Sequence, residues 1–241
     1  MAVQRNLPDP FNAINSQGNV GSTAPVGFAG VTVTSKQDIM KSRTNSGVTV
    51  TRAASYHMFQ VNVSYNPMTK ANFDLIYAFI LEKQASLRPF FVQLPQHYSS
   101  AASGTSIPLV ESATIGTRQV LVNTTATINV GDMFNIVDAN GVAVNNHTKA
   151  YQIVRVETSS TLHSDATLNT ATNPTATNHK RLTFTPNLFK AATYNATSSS
   201  NQFLEVGRPK IQVLQSGNTQ QYQLNADNLY SLSVKLEEAC F

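Results

Sequence analysis

The sequence predicts a mainly β protein with one α-helix and an inserted unit built of short strands. Three observations carry this. Apolar and polar residues alternate with a period of two in many segments of the 241-residue chain. A single window, from 70 to about 86, has helical periodicity instead. Two stretches of small residues bracket a run of short strands in the middle of the chain.

The elements follow in order. Residues 1–25 are polar and carry Pro8, Pro10 and Pro25, so they read as an extended arm. Val31 and Val33 alternate with threonines, and VTVTR at 48–52 repeats the pattern, which predicts two strands. Between them SKQDIMKSRTNSG reads as a polar loop reaching out from the body. Phe59, Val61, Val63 and Tyr65 then alternate with Gln60, Asn62 and Ser64, as in a half-buried strand. Asn66-Pro67 ends it, because proline has no N–H to give to a ladder.

Thr69 is the expected helix N-cap. Phe73, Ile76, Tyr77 and Ile80 stand at i, i+3, i+4 and i+7 and form the core stripe, widened by Leu75, Phe79 and Leu81. Pro89 excludes continuation, and PFFVQLP at 89–95 reads as a buried strand. The helix therefore plugs the core of a β domain.

HYSSAASGTS from 97 and ATYNATSSSNQ at 192–202 are linkers. Between them lie IPLV, RQVLVN, DMFNIVD, VAVN, KAYQIVRVE and RLTFTP, with Asp138–Gly141 as a hairpin turn and a long polar loop at 161–180. Such short strands suit a small barrel or sandwich. FLEV, KIQVLQ, QYQLN and a strand from Tyr230 to Glu237 follow, with a turn at Ser216–Asn218. The expected division is a domain of residues 1–97 and 203–241, interrupted by an inserted domain of 98–202.

Composition limits the function classes. Only 12% of residues are charged, about half of the usual share, and neutral polar residues fill the gap. A charge-poor surface suits permanent assembly, since interface cores are depleted in charge. The net charge of +4 is spread along the sequence, with HKR at 179–181 the densest group, which is too short for a nucleic-acid-binding arm. The first ten residues hold no apolar run, so no secretory leader is expected. LIYAFIL at 75–81 is the longest apolar run and is far too short for a membrane span. The single cysteine, Cys240, has no partner in the chain for a disulfide.

No catalytic motif emerges. The histidines at 57, 97, 147, 163 and 179 are isolated in the sequence, and no H-x-x-x-H or Cys/His cluster predicts a metal site. G-x-S-x-G, Walker A and G-x-G-x-x-G are absent. Asp132 after Gly131, and Asp138, read as turn residues. The expectation is a non-enzyme with no cofactor and no metal.

The order of parts resembles the distal tail proteins of tailed bacteriophages, and related minor tail or baseplate proteins. The motifs are a strand ending in NPMT, the apolar helix, PFFVQLP, VGDMFNIV, KAYQIVRV, RLTFTPNL and the closing LYSLSVKLEEA. The chain departs from the family pattern in the long Thr/Asn-rich loop before RLTFTP and in its N-terminal arm. The resemblance implies a tail-tube-like β-sandwich with one flanking helix and an inserted small β-barrel on the outside. It implies a homo-oligomeric ring, usually a hexamer, that joins the tail tube to the hub, tip or baseplate. Its partners would be the tail tube protein, the hub or tip and other baseplate proteins. DNA would pass through the lumen without specific binding, and no membrane is involved. The protein would reside in the virion after assembly in the host cytoplasm. A head-to-tail ring also satisfies strand edges that would otherwise be free. The expected interface lies in the arm and in the 36–47 segment, at Lys41, Arg43 and Thr44, with Arg52 beside them. The alternative is a tail module that binds host-surface carbohydrate through the inserted domain.

Overall fold

The computed structural model describes residues 5–21, 26–97, 105–138, 147–162, 171, 173–194, 202–217, 219–225 and 227–239. The VAVN strand, the Asp138–Gly141 turn, Asn218, Cys240, His163 and most of both linkers lie outside them or at their margin. The elements are β1 (Phe28–Arg43), β2 (Thr49–Tyr65), α1 (Lys70–Glu82), β3 (Phe90–Gln93), β4 (Thr105–Pro108), β5 (Gln119–Asn123) and β6 (Met133–Asp138). They continue with β7 (Tyr151–Glu157), β8 (His179–Thr185), β9 (Gln202–Val206), β10 (Lys210–Gln215), β11 (Tyr222–Leu224) and β12 (Tyr230–Glu238). The protein is mainly β, with two antiparallel sheets and one α-helix among the described residues. It divides into two compact units, residues 1–92 with 212–239, and residues 93–211.

In the first unit the strand order is β1-β2-β12-β10-β3, with β11 paired to β12. The period-two pattern sets the register. Val31, Val63 and Val234 lie in one row across β1, β2 and β12, and Val33, Val61 and Leu236 in the next. A one-residue slip would turn these side chains to the other face, so burial of one face fixes the pairing. The helix covers this sheet through stacked and edge contacts: Phe79 meets Phe90 at 5.6 Å and Phe73 stacks on Tyr230 at 4.5 Å between ring centroids. Phe73, Ile76, Phe79 and Ile80 are buried. Tyr77 is only half-buried, at the stripe's margin, where its ring stacks on Phe73.

Four expectations change. The helix ends at Glu82 rather than near 86, because Gln84 and Ala85 adopt positive φ (52° and 55°) and break the ladder. Thr69 does occupy the N-cap position, but its side chain makes no capping bond. Residues 36–43 are strand, not loop: β1 runs on to Arg43 and pairs with β2 almost to the turn. The arm is also partly packed. Leu7 and Ile14 are buried, and Leu7 N–H donates to Phe91 O (2.7 Å) while Phe91 N–H donates to Arg5 O (2.9 Å). The buried Tyr65 hydroxyl donates to Pro8 O (2.8 Å), and burial, with the nearby Asp9 carboxylate, pushes its pKa well up.

In the second unit the order is β4-β9-β6-β7-β8-β5. FLEV, expected with the C-terminal strands, lies in β9 and pairs here with β4 and β6, placing Leu204 between Ile107 and Ile136. Its inward residues find apolar partners on both sides, and that contact outweighs its closeness in sequence to β10. Phe134, Tyr151 and Phe184 form a ring cluster at 5.3–5.4 Å in the middle of the core. The opposite face of β8 holds the fully buried Arg181. Its Nε donates to Glu157 Oε2 (2.5 Å), and its Nη1 donates to Asn173 Oδ1 (2.6 Å) and Ala171 O (3.3 Å). A buried cation is tolerable only when paired and hydrogen-bonded. The described part of the long Thr/Asn-rich loop is thus fastened to the sheet by a charge, where apolar residues are lacking.

Candidate functional site

The site is built from the far half of the β1–β2 hairpin. β12 pairs with β2 only over Gln60–Ser64, so β2 from Thr49 to Met58 has β1 as its one described strand neighbour. The base is fixed: Phe59 is buried and its N–H donates to Glu238 Oε2 (2.9 Å). Beyond it, Lys36–Arg43 extends for about 25 Å at the usual rise of a strand. Every residue from 34 to 52 is exposed. An isolated two-stranded ribbon in water is marginally stable at best, and this one has no described covering element beyond its base.

The turn that closes the ribbon is well made. Gly47 has φ +82°, a conformation that favours glycine, and its N–H donates to Thr44 O (2.9 Å). Thr44 Oγ1 accepts from Val48 N–H (3.1 Å) and lies 2.9 Å from Ser46 Oγ. Thr44 therefore holds the turn. A register shift between Gln37 and Ile39 marks a bulge near the ribbon's root.

Register assigns the faces. Residues directly opposite share a side, so Ile39, Lys41 and Arg43 lie with Thr49 and Thr51 on one face. Met40 and Ser42 lie with Arg52 and Val50 on the other. Lys41 and Arg43 are brought together, and Arg52 is separated from them on the opposite face. That second face is the more apolar one: Met40 is 72% and Val50 54% exposed. Met and Arg are among the residues enriched in protein interfaces, and large exposed side chains clustered on a small element are unusual on a free surface.

The structure also gathers charge that the linear sequence scatters. Lys36, Lys41, Arg43 and Arg52 all lie on the ribbon, with Asp38 the one carboxylate between 36 and 52, in a chain with a net charge of +4. Met40 lies inside the expected 36–47 segment without being singled out, and Val50 lies outside it. Their signal was present as the apolar pair Ile39-Met40 inside a polar segment and the Val48–Val50 alternation. A loop reading gives such residues no face, whereas a strand reading does.

The helix residues Phe73, Ile76, Tyr77 and Ile80 are remote from this ribbon in role, serving as packing. Among the described residues no group of three or more His, Cys, Asp and Glu side chains is arranged to hold a metal ion. Among them, too, no helix is long and apolar enough to cross a membrane. The ribbon itself presents backbone edge, cations and apolar side chains at its exposed surface. Compared with protein-family models the chain matches none, and compared with curated proteins it has no significant match.

Proposed function

We propose that the chain is a structural virion protein of a bacteriophage tail. In this reading it forms a ring, a hexamer, that joins the tail tube to the hub, baseplate or tip and carries peripheral tail proteins. The first unit is read as a tail-tube-like β-sandwich flanked by α1, and the second as a small closed β-barrel. Closure of the second sheet is supported by the segment after β4, where Leu109 bridges Val122 and Val110 N–H donates to Leu121 O (2.9 Å). That contact joins the two end strands of the order β4-β9-β6-β7-β8-β5.

The observation that carries the reading is the β1–β2 ribbon. β1 is a 16-residue strand at the end of its sheet, and no described strand pairs with its outer side. Monomeric proteins blunt such edges or keep them short. Here the edge is long and continues into an exposed ribbon with Met40 and Val50 on one face. A head-to-tail ring buries one subunit's edge against the next and closes without a free end.

The test is native mass spectrometry with light scattering on the purified chain. A single species of six subunits is expected. Replacing Met40→Glu together with Val50→Glu should yield monomers with an unchanged far-ultraviolet spectrum, since both side chains are exposed. A wild-type chain that stays monomeric at high concentration, with no ring visible by electron microscopy, would overturn the reading.

A further inference from the structure

The first unit holds a break in its sheet that ring formation does not use. β10 pairs with β12 through Val213–Glu238, Leu214–Glu237 and Gln215–Leu236. β11 resumes the pairing along β12 at Tyr222–Leu232. Between them Ser233, Val234 and Lys235 have no described strand on that side, although β2 pairs with all three on the other. The break is about 10 Å long at the usual rise of a strand. Six residues connect β10 to β11 across these three, so the connection leaves the line of the sheet. A cavity of about 590 Å³ opens there, lined by Ser231–Lys235, within the range of small-ligand sites.

The direction of the backbone groups decides what the break can hold. In an antiparallel ladder a residue turns its N–H and its C=O to the same neighbour, and successive residues turn to opposite neighbours. Tyr230 exchanges both bonds with Met68, just beyond β2 (2.8 and 3.0 Å). Even-numbered residues of β12 therefore serve the β2 side, and odd-numbered ones serve the side of β10 and β11. Lys235 obeys this rule, since its C=O accepts from Ser216 N–H (2.9 Å). The N–H and C=O of Ser233 and the N–H of Lys235 are thus turned toward the break. None of these three groups has a hydrogen-bond partner among the described residues. The side chains of Ser233 and Lys235 are exposed on one face of β12, and Lys235 is the one charged group lining the cavity among the described residues.

We infer that this break captures the C-terminal end of a partner polypeptide. A peptide laid parallel to β12 matches the free groups. Its last residue donates its N–H to Ser233 O, and its carboxylate accepts from Lys235 N–H and from the Lys235 ammonium. Ser233 N–H donates to the carbonyl two residues earlier. Nothing follows the carboxylate, so nothing needs the Lys235 C=O that Ser216 already occupies. An internal segment would have to run on past Lys235 into the place of Gln215, which β10 fills opposite Leu236. The ribbon of a second copy does not suit the break, because it is a closed hairpin with no chain end. Capture of a carboxylate by backbone N–H groups is an established mode of peptide recognition, and an adjoining cation strengthens it.

Saturation-transfer NMR on the intact chain tests this with the tripeptide Ala-Ala-Ala, its C-terminal amide and acetate as probes. The free tripeptide should bind at least about tenfold more tightly than its amide, the factor that one charge-assisted contact readily supplies. Acetate should bind more weakly than the tripeptide, because it makes no ladder bonds. Lys235→Ala should bring the tripeptide down to the level of its amide. Ser233→Pro removes an N–H that no described strand uses, so the sheet should stand while tripeptide binding falls at least about tenfold. Ser233→Ala keeps the backbone and should bind as the wild type does. Absence of transfer to the tripeptide at millimolar concentration, equal binding of acid and amide, or acetate bound as tightly as the tripeptide would overturn the inference. So would a loss in Ser233→Ala as large as in Ser233→Pro. Oligomeric state, measured separately, decides nothing about this site.

Discussion

His147 shows how one buried side chain ties stability to pH. It is 1% exposed, its Nε2 lies 2.9 Å from Ala191 O, and its Nδ1 has no hydrogen-bond partner. Burial lowers its pKa, with the Lys190 cation acting in the same direction and the Ala191 carbonyl opposing. His97 is lowered as well, by burial, against the Asp132 carboxylate. The unfolded chain then binds more protons than the folded one once pH falls below the ordinary imidazole value of about 6.5. Stability is complete above that pH and is lost as pH falls toward the lowered folded value. Urea unfolding of the wild type and His147→Gln between pH 7 and pH 5 should show the variant losing stability less steeply. The difference should approach about 1.4 kcal/mol per pH unit if His147 stays neutral when folded. Parallel pH dependences would sink this account.

At the scale of elements, α1 separates what periodicity can and cannot predict. Its stripe is legible because Phe73, Ile76 and Ile80 must meet a sheet. Its end is not, because neither Gln84 nor Ala85 is a residue type that announces the positive φ it adopts here. Leu81 belongs to the apolar run but is half exposed, whereas Ile76 is fully buried. Ile76→Ala should therefore cost about 2–5 kcal/mol and Leu81→Ala less than about 1 kcal/mol, read from urea midpoints. Similar losses at both positions would mean that the helix packs on another face. The ribbon is hard to read from sequence for a related reason. Its residues alternate correctly for a strand, but they are polar enough to pass for a loop, and nothing in the chain itself covers them. Short apolar strands carry no label for the sheet they join, so the sequence does not assign β9 to the second sheet.

For the whole molecule, the candidate interface was legible as a location before it was legible as a surface. Lys41, Arg43 and Arg52 stood out as cations in sequence, but only the register puts Arg52 across from the other two and beside Met40. The packed arm has a consequence of its own. The first sheet has two end strands, β1 and β3, and Arg5–Leu7 already lies along β3 through the bridge between Asn6 and Phe91. Among the described residues, the outer side of β1 has no paired strand, whereas β3 is covered in part by the arm. Arg5–Leu7 occupies part of the backbone that β3 would otherwise offer, and a covered strand edge is a poorer template for adding further strands. Deleting residues 1–9 should uncover this edge, and turbidity and thioflavin fluorescence should rise on concentration where the full chain stays clear. A truncated chain as soluble as its parent would sink this account of the arm. The short segment that reads in sequence as a loose lead-in thus serves as a cover for the end of the first sheet.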